Sequence, residues 1–406
     1  MNRKQFVILL IAGVAAAFVA MKVLKTDRES YKTSDVAEGQ KLLPNLPLND
    51  IAHLRIKQTN EVNLVKKDDL WRVKERYDYP ANFGELSDLI RKLAELKTIE
   101  EVKVGPSQLG RLELNSPDKG GSNAATLVEF KDAKDSNIKS LLLGKKYSRG
   151  SGDSSFGGDF PVGRYVMVPD GASKVWLIND PLSNVETEPE KWLNKDFFKV
   201  EKLKSISVQH QADTNSWTLT REKEGGDLKL ADPKEGESLD TSKASSAGYA
   251  LSSPSFNDVL APDSKPEETG LDKPTTAKLE TFDGFVYNVS LGKPQKEDNY
   301  PFKMTVEGNF AKQREPGKDE KPEDKEKLDK EFKEKLSKLE EKLKQEKTYE
   351  KWTYLVGKWT IDPLLKDRKD LLAEKKDEKH DATSAPKPPA APDPLKNIVP
   401  ELVPPK

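Results

Sequence analysis

Three histidines, His53, His210 and His380, are the residues best suited to acid–base or metal chemistry in this chain. No pair has helical ligand spacing, and no HExxH sequence is present. His53 and His210 occupy similar places in two strand-like segments, on the face opposite the apolar residues, while His380 lies in a charge run. All three read as solvated. Cysteine is absent, which removes disulfides, thiolate metal sites, cysteine nucleophiles and a lipid-anchor cysteine. The stretch "SRGSGDSSFGGDF" (148–160) is glycine-rich but lacks the Gly-Lys-Ser/Thr ending of a phosphate loop, so it reads as a hairpin loop. Ser154 and Ser155 within it have no GxSxG context. Acidic residues are abundant, yet no spacing marks a carboxylate pair. Asp180 in "NDPL" and Asp362 in "IDPL" read as turn residues before proline. Trp71, Trp176, Trp217 and Trp359 sit in strand patterns and read as core, or as the lining of a ligand groove. The residues therefore point to a non-enzymatic protein without catalytic residue, cofactor or metal.

Composition says more about surface and location. Charged residues make up 34% of the 406, hydrophobic ones 35%, and the net charge is only −1. Interspersed charge suits a well-solvated surface and argues against a nucleic-acid partner, which calls for a basic excess. The amino terminus, "MNRKQFVILLIAGVAAAFVAMKVLK", has a basic start and an apolar run from Phe6 to Met21. That run approaches the roughly 17–20 residues a membrane helix needs. Ala15 and Ala17 offer only a poor signal-peptide cleavage site, so an uncleaved anchor is expected over residues 1–25. Lys22, Lys25 and Arg28 follow the run and leave orientation open, with export of the polar body the simpler reading. Residues 26–47 read as a tether.

The elements that must position any site follow from periodicity. "IAHLRIKQ", "EVNLV" and "DLWRV" alternate apolar and polar residues, which predicts an antiparallel meander. In "FGELSDLIRKLAELKTI" the apolar residues recur at three and four, which predicts an amphipathic helix with Asn82 as N-cap. The same order then returns. "LKSISVQH", "SWTLT" and "DLKL" are three strands, and Thr241 to Leu260 stand where the helix stood, as a poorer helix interrupted by Pro254. "LNSP" (114–117) is answered by "LDKP" (271–274), "SLLLGKK" (140–146) by "NVSLGKP" (288–294), and "VWLINDPL" by "KWTIDPL". An ordered set of matches implies duplication. The expected fold class is α+β: two tandem copies of an antiparallel-sheet-plus-helix domain, at 48–200 and 201–372, behind an N-terminal membrane helix.

The second copy carries a charged helical insertion at 319–347. Leu328, Phe332, Leu336, Leu339 and Leu343 form a narrow stripe among Lys and Glu residues. Such a stripe either packs on its own domain or meets a partner, and it is the expected partner-binding surface. The reading sets it on an arm dispensable for folding. Residues 373–406 are charged and proline-rich and read as a disordered tail.

The anchor, "WRVKERYDYPANFGELSDLIRKLAEL", "GLDKP" (270–274) and "SLGK" (290–293) together resemble the bacterial domain-of-unknown-function family 4340. The resemblance runs from the anchor to about Leu372. It implies a single-pass inner-membrane protein with its bulk in the periplasm. It also implies genes beside ABC transporter permeases and ATPases, including a gliding-motility-type auxiliary protein. The implied role is scaffold or accessory subunit of an ABC-type transport or envelope complex, with inner-membrane ABC transporter or envelope proteins as partners. The alternative is a periplasmic module binding glycan or peptide in the groove between the copies, which predicts an aromatic-lined cleft. A hydrolase with an unmarked carboxylate site is a third reading. The charged insertion, the proline tail and a first-copy "LELNSP" without the glycine of "GLDKP" depart from the family pattern.

Overall fold

The meander forms where alternation predicts it. In the computed structural model, β1 (His53–Lys57), β2 (Glu61–Lys67) and β3 (Leu70–Val73) pair antiparallel, with Ile56 opposite Val62 and Leu64 opposite Val73. The structure describes residues 39–119, 121–148, 160–169, 174–316 and 320–374. The expected anchor, Ser154, Ser155, His380 and all but the first two residues of the tail lie outside them.

A short strand, β4 (Tyr79–Pro80), leads into α1 (Phe83–Glu95). Asn82 caps this helix by accepting a hydrogen bond from the Glu85 backbone N–H. Its Leu86, Leu89 and Leu93 are fully buried, as a stripe at spacings of three and four requires. The chain continues through β5 (Thr98–Val102), β6 (Thr126–Lys131), β7 (Asn137–Ser148), β8 (Pro161–Met167) and β9 (Val175–Ile178). These form one nine-stranded sheet in the order β4-β3-β2-β1-β6-β7-β8-β9-β5. One face packs on α1. Part of the other is covered by the 103–125 connection, where Leu114, Leu127, Leu142 and Met167 make a second small core.

The second half has β10 (Leu203–Gln209), β11 (Trp217–Thr220), β12 (Lys229–Leu230), α2 (Thr241–Gly248), β13 (Asp258–Val259), α3 (Pro266–Thr269), β14 (Thr275–Thr281), β15 (Phe285–Leu291) and β16 (Asn299–Gly308). The charged helix α4 (Pro322–Glu346), β17 (Tyr354–Gly357) and α5 (Lys358–Ile361) follow. The eight-stranded sheet has the order β12-β11-β10-β14-β15-β16-β17-β13. Apart from β4, the first sheet has the same connectivity: β3-β2-β1-β6-β7-β8-β9-β5. The protein is thus α+β, with two antiparallel sheets and several helices.

The repeated phrases have a physical reason, because in each half the Leu-Gly-Lys glycine faces the backbone just before the Leu-x-x-Pro phrase. Gly144 of "SLLLGKK" faces the Leu112 carbonyl, and a Cβ there would stand 2.3 Å from that oxygen. Gly292 of "NVSLGKP" faces the Thr269 carbonyl, at 2.2 Å from a would-be Cβ. Each carbonyl immediately precedes a left-handed residue, Glu113 at φ 54° or Gly270 at φ 79°. Each is followed by the same turn bond, Leu114 N–H to Leu109 O and Leu271 N–H to Pro266 O, both 2.9 Å. Glu113 therefore holds the backbone position of Gly270 without being glycine, at a conformational cost of roughly 1–2 kcal/mol.

Three expectations need correction. "KWTIDPL" is not a strand equivalent to "VWLINDPL": the partner of β9 in the topology is β17, "YLVG", and Lys358–Ile361 is a helical turn. Trp359 is accordingly not core but 67% exposed. The tether ends earlier than residue 47, because Gly39 and Leu42 hydrogen-bond to Thr98 and Leu96, and Leu42 and Leu43 are buried.

Candidate functional site

The stripe on α4 is half-buried along its whole length, at Leu328, Phe332, Leu336, Leu339 and Leu343. Leu339 and Leu343 pack against the core of the second half, and Leu343 lies over Gly308 of β16. Charged groups fix the rest of the helix to its own chain. Arg314 binds Glu320 and Asp329 near the N-terminus, and Lys335 pairs with Asp283 at 2.8 Å in the middle. Near the C-terminus Lys342 meets Glu201 at 2.6 Å and lies over the Phe285 ring. Glu346 is buried there, accepting from Tyr287 Oη (2.8 Å) and the Lys199 N–H (3.2 Å). Burial raises its pKa. The helix therefore lies along its own half, and its last two turns belong to the core.

Aromatic rings pack together at the junction between the halves. Tyr79 of the first half meets Phe256, Trp352 and Tyr354 of the second with ring centroids 4.9–6.3 Å apart. Phe197 packs on Phe256 and Tyr354 from the connecting segment. Burial pushes both Tyr79 and Tyr354 well above the ordinary tyrosine pKa. At the rim Arg76 donates from Nη2 to Glu190 of its own half (2.9 Å) and from Nε to Asp258 of the other (2.5 Å), and the second bond joins the halves by charge.

An open site does exist, beside the junction on the first half. A small ladder builds it: Ala81 N–H donates to Trp71 O, Asn82 N–H to Trp192 O, and Asn194 N–H to Pro80 O. Over this ladder lies a cleft of about 630 Å³ whose lining includes Leu70, Trp71, Asn82, Phe83, Asn194 and Asp196. A second hollow of about 410 Å³ continues past Trp71 and Phe83 to Leu48 and Ile90. Phe83 is 63% exposed and Leu70 55%, while Trp71 forms the floor at 9%. The sequence reads Trp71 as strand core or as the lining of a ligand groove, and Phe83 as part of the apolar stripe of the helix. The one signal for Phe83 lay in the helix start: it keeps step with the stripe, three residues before Leu86, but it is the first helical residue, directly after the Asn82 cap and before Gly84.

His53 and His210 are not simply solvated. His53 lies between Asp135 (Nδ1, 2.7 Å) and Asn63 (Nε2, 2.8 Å), and His210 Nε2 shares the Lys366 carbonyl with Trp217 Nε1. The hydrogen bond from His53 holds the Asp135 carboxyl below the usual range. Beside it, Arg55 spans Glu61 and Glu129 on the open face of the first sheet. The Arg55 hydrogen bonds hold Glu61 down at about 2. Asp180 serves as the expected turn residue, its side chain accepting from the Leu182 N–H. Among the described residues no three His, Asp or Glu side chains are grouped to hold a metal ion. No helix among them is long and apolar enough to cross a membrane.

A family model described as "Domain of unknown function (DUF4340)" matches residues 71–274, half of the chain. The chain belongs to this family. The DUF4340 match starts at Trp71 on the cleft floor and ends at Pro274 of "GLDKP", so it crosses from one half into the other. No curated protein and no solved structure matches the chain.

Proposed function

We propose that this DUF4340 protein is a non-enzymatic, membrane-anchored extracytoplasmic scaffold or accessory subunit of an ABC-type transport or envelope complex. In this reading residues 1–25 hold it in the bacterial inner membrane by a single pass, and the bulk of the chain is periplasmic. Two tandem copies of one α+β domain, at 48–200 and 201–372, form its body. The shared strand order and the paired "Leu-x-x-Pro" and "Leu-Gly-Lys" contacts support the duplication. The observation that carries the scaffold reading is the aromatic and ionic join at Tyr79, Phe256, Tyr354 and Arg76, which fixes two sheets in one orientation. The part of the α4 stripe left for a partner is Leu328, Phe332 and Leu336, because Leu339 and Leu343 are engaged by the core.

Photo-crosslinking from Leu328 and Phe332 in intact cells tests this. Capture of ABC permease or ATPase subunits is expected, and crosslinks confined to the chain itself would reject the role. A second reading, ligand binding, draws its support from the Trp71–Phe83 cleft.

A further inference from the structure

The cleft over Trp71 combines exposed apolar surface with polar groups that have no partner. Three tryptophans of the body are buried, and two donate their ring N–H: Trp192 to Glu186 O (3.0 Å) and Trp217 to Lys366 O (2.8 Å). Trp71 Nε1 has no protein acceptor among the described residues, nor is it sealed from solvent. Buried indoles ordinarily satisfy this donor. Asn82 and Asn194 spend their side-chain oxygens on the Glu85 and Asp196 N–H groups, which turns their amide nitrogens, unpaired, to other acceptors. The Asp196 carboxylate also has no partner among the described residues. Lys195, by contrast, is engaged: it donates to the Phe256 and Asn257 carbonyls and lies over the Phe256 ring.

From this set we infer that the cleft is a binding site for a neutral saccharide. The inference rests on the ligand-binding reading and names its chemical class. Three unpaired donor nitrogens and one free carboxylate match a ligand whose groups each donate and accept, as hydroxyls do. The Phe83 ring and Leu70 offer flat apolar surface for the C–H face of a pyranose. An anionic ligand is disfavoured by Asp196 and by the engagement of Lys195. The cleft of about 630 Å³ falls in the usual range for small-ligand sites, about 300–1,000 Å³.

The test uses the full chain in detergent and saturation-transfer NMR with tetrasaccharides of the maltose, chitin and β-1,3-glucan types. Each is supplied at about 5 mM, enough to detect a millimolar Kd. Tetra-alanine serves as the peptide probe. At least one saccharide should bind, and Phe83→Ala and Asp196→Ala should each weaken it about tenfold without changing circular dichroism. Both side chains are exposed, so both variants should fold. Binding of tetra-alanine but no saccharide would overturn the inference and leave the ligand-binding reading standing. Binding of neither would overturn both, and saccharide binding indifferent to both variants would remove it from this cleft.

Discussion

Gly292→Ala should destabilise the second half by roughly 3 kcal/mol. The added Cβ would stand 2.2 Å from the Thr269 carbonyl oxygen and 3.0 Å from Pro301 Cβ. Ordinary contact requires the carbonyl to retreat by about 1 Å. Overpacking of this kind costs about 1–3 kcal/mol. The same carbonyl accepts the Lys293 N–H at 2.9 Å, so its retreat also stretches a hydrogen bond worth about 0.5–1.5 kcal/mol. For a unit of this size the sum corresponds to a fall in melting temperature of about 6–12 °C. Differential scanning calorimetry of the variant measures it. Gly84→Ala is the control, because its Cβ meets only Asn82 Oδ1, at 3.4 Å, and alanine favours a helix. A Gly292→Ala protein melting within about 1 °C of the parent would refute the claim that "Leu-Gly-Lys" recurs because a loop carbonyl needs the space.

Glu113→Gly should stabilise the first half by about 1 kcal/mol in urea unfolding, since glycine takes the left-handed φ of 54° without a Cβ penalty. Arg76→Ala should cost about 1–2 kcal/mol, and Arg76→Lys should recover less than half, because one ammonium cannot reproduce the fork to Asp258 and Glu190. Leu343→Ala should lower stability in the isolated protein by about 1–2 kcal/mol, whereas Leu328→Ala should cost under about 1 kcal/mol, read by thermal melts. Glu61 has a folded pKa of about 2, below its unfolded value of 4.5, so its contribution is complete above 4.5 and is lost as pH falls towards 2. Glu61→Gln should flatten the acid limb of the stability profile over that window.

How much of this was legible beforehand depended on the range of the interactions. The meander from His53 to Val73, the helix at Phe83 with its Asn82 cap, and the Asp283–Gly284 hairpin turn are set by alternation, three-and-four spacing and turn chemistry within a few residues. The repeated phrases, too, could be read as repeats, although not why they recur. That Gly144 and Gly292 each receive a carbonyl from more than twenty residues upstream is a tertiary fact with no local signature. The same holds for "KWTI", whose letters resemble β9 but which turns into a helix because β17 has already supplied the strand.

By itself the sequence determined the leading meander and helix, the α+β class, the family resemblance and the leucine stripe of α4, since each is written in neighbouring residues. Only the tertiary structure decided what those elements face. It put Leu339 and Leu343 on their own core and packed Tyr79 of the first half against Phe256 and Tyr354 of the second. It left Trp71 and Phe83 lining an open cleft. Burial is a property of the whole packed chain. A tryptophan in a strand and a phenylalanine at a helix start have the same local pattern whether a neighbour covers them or solvent does.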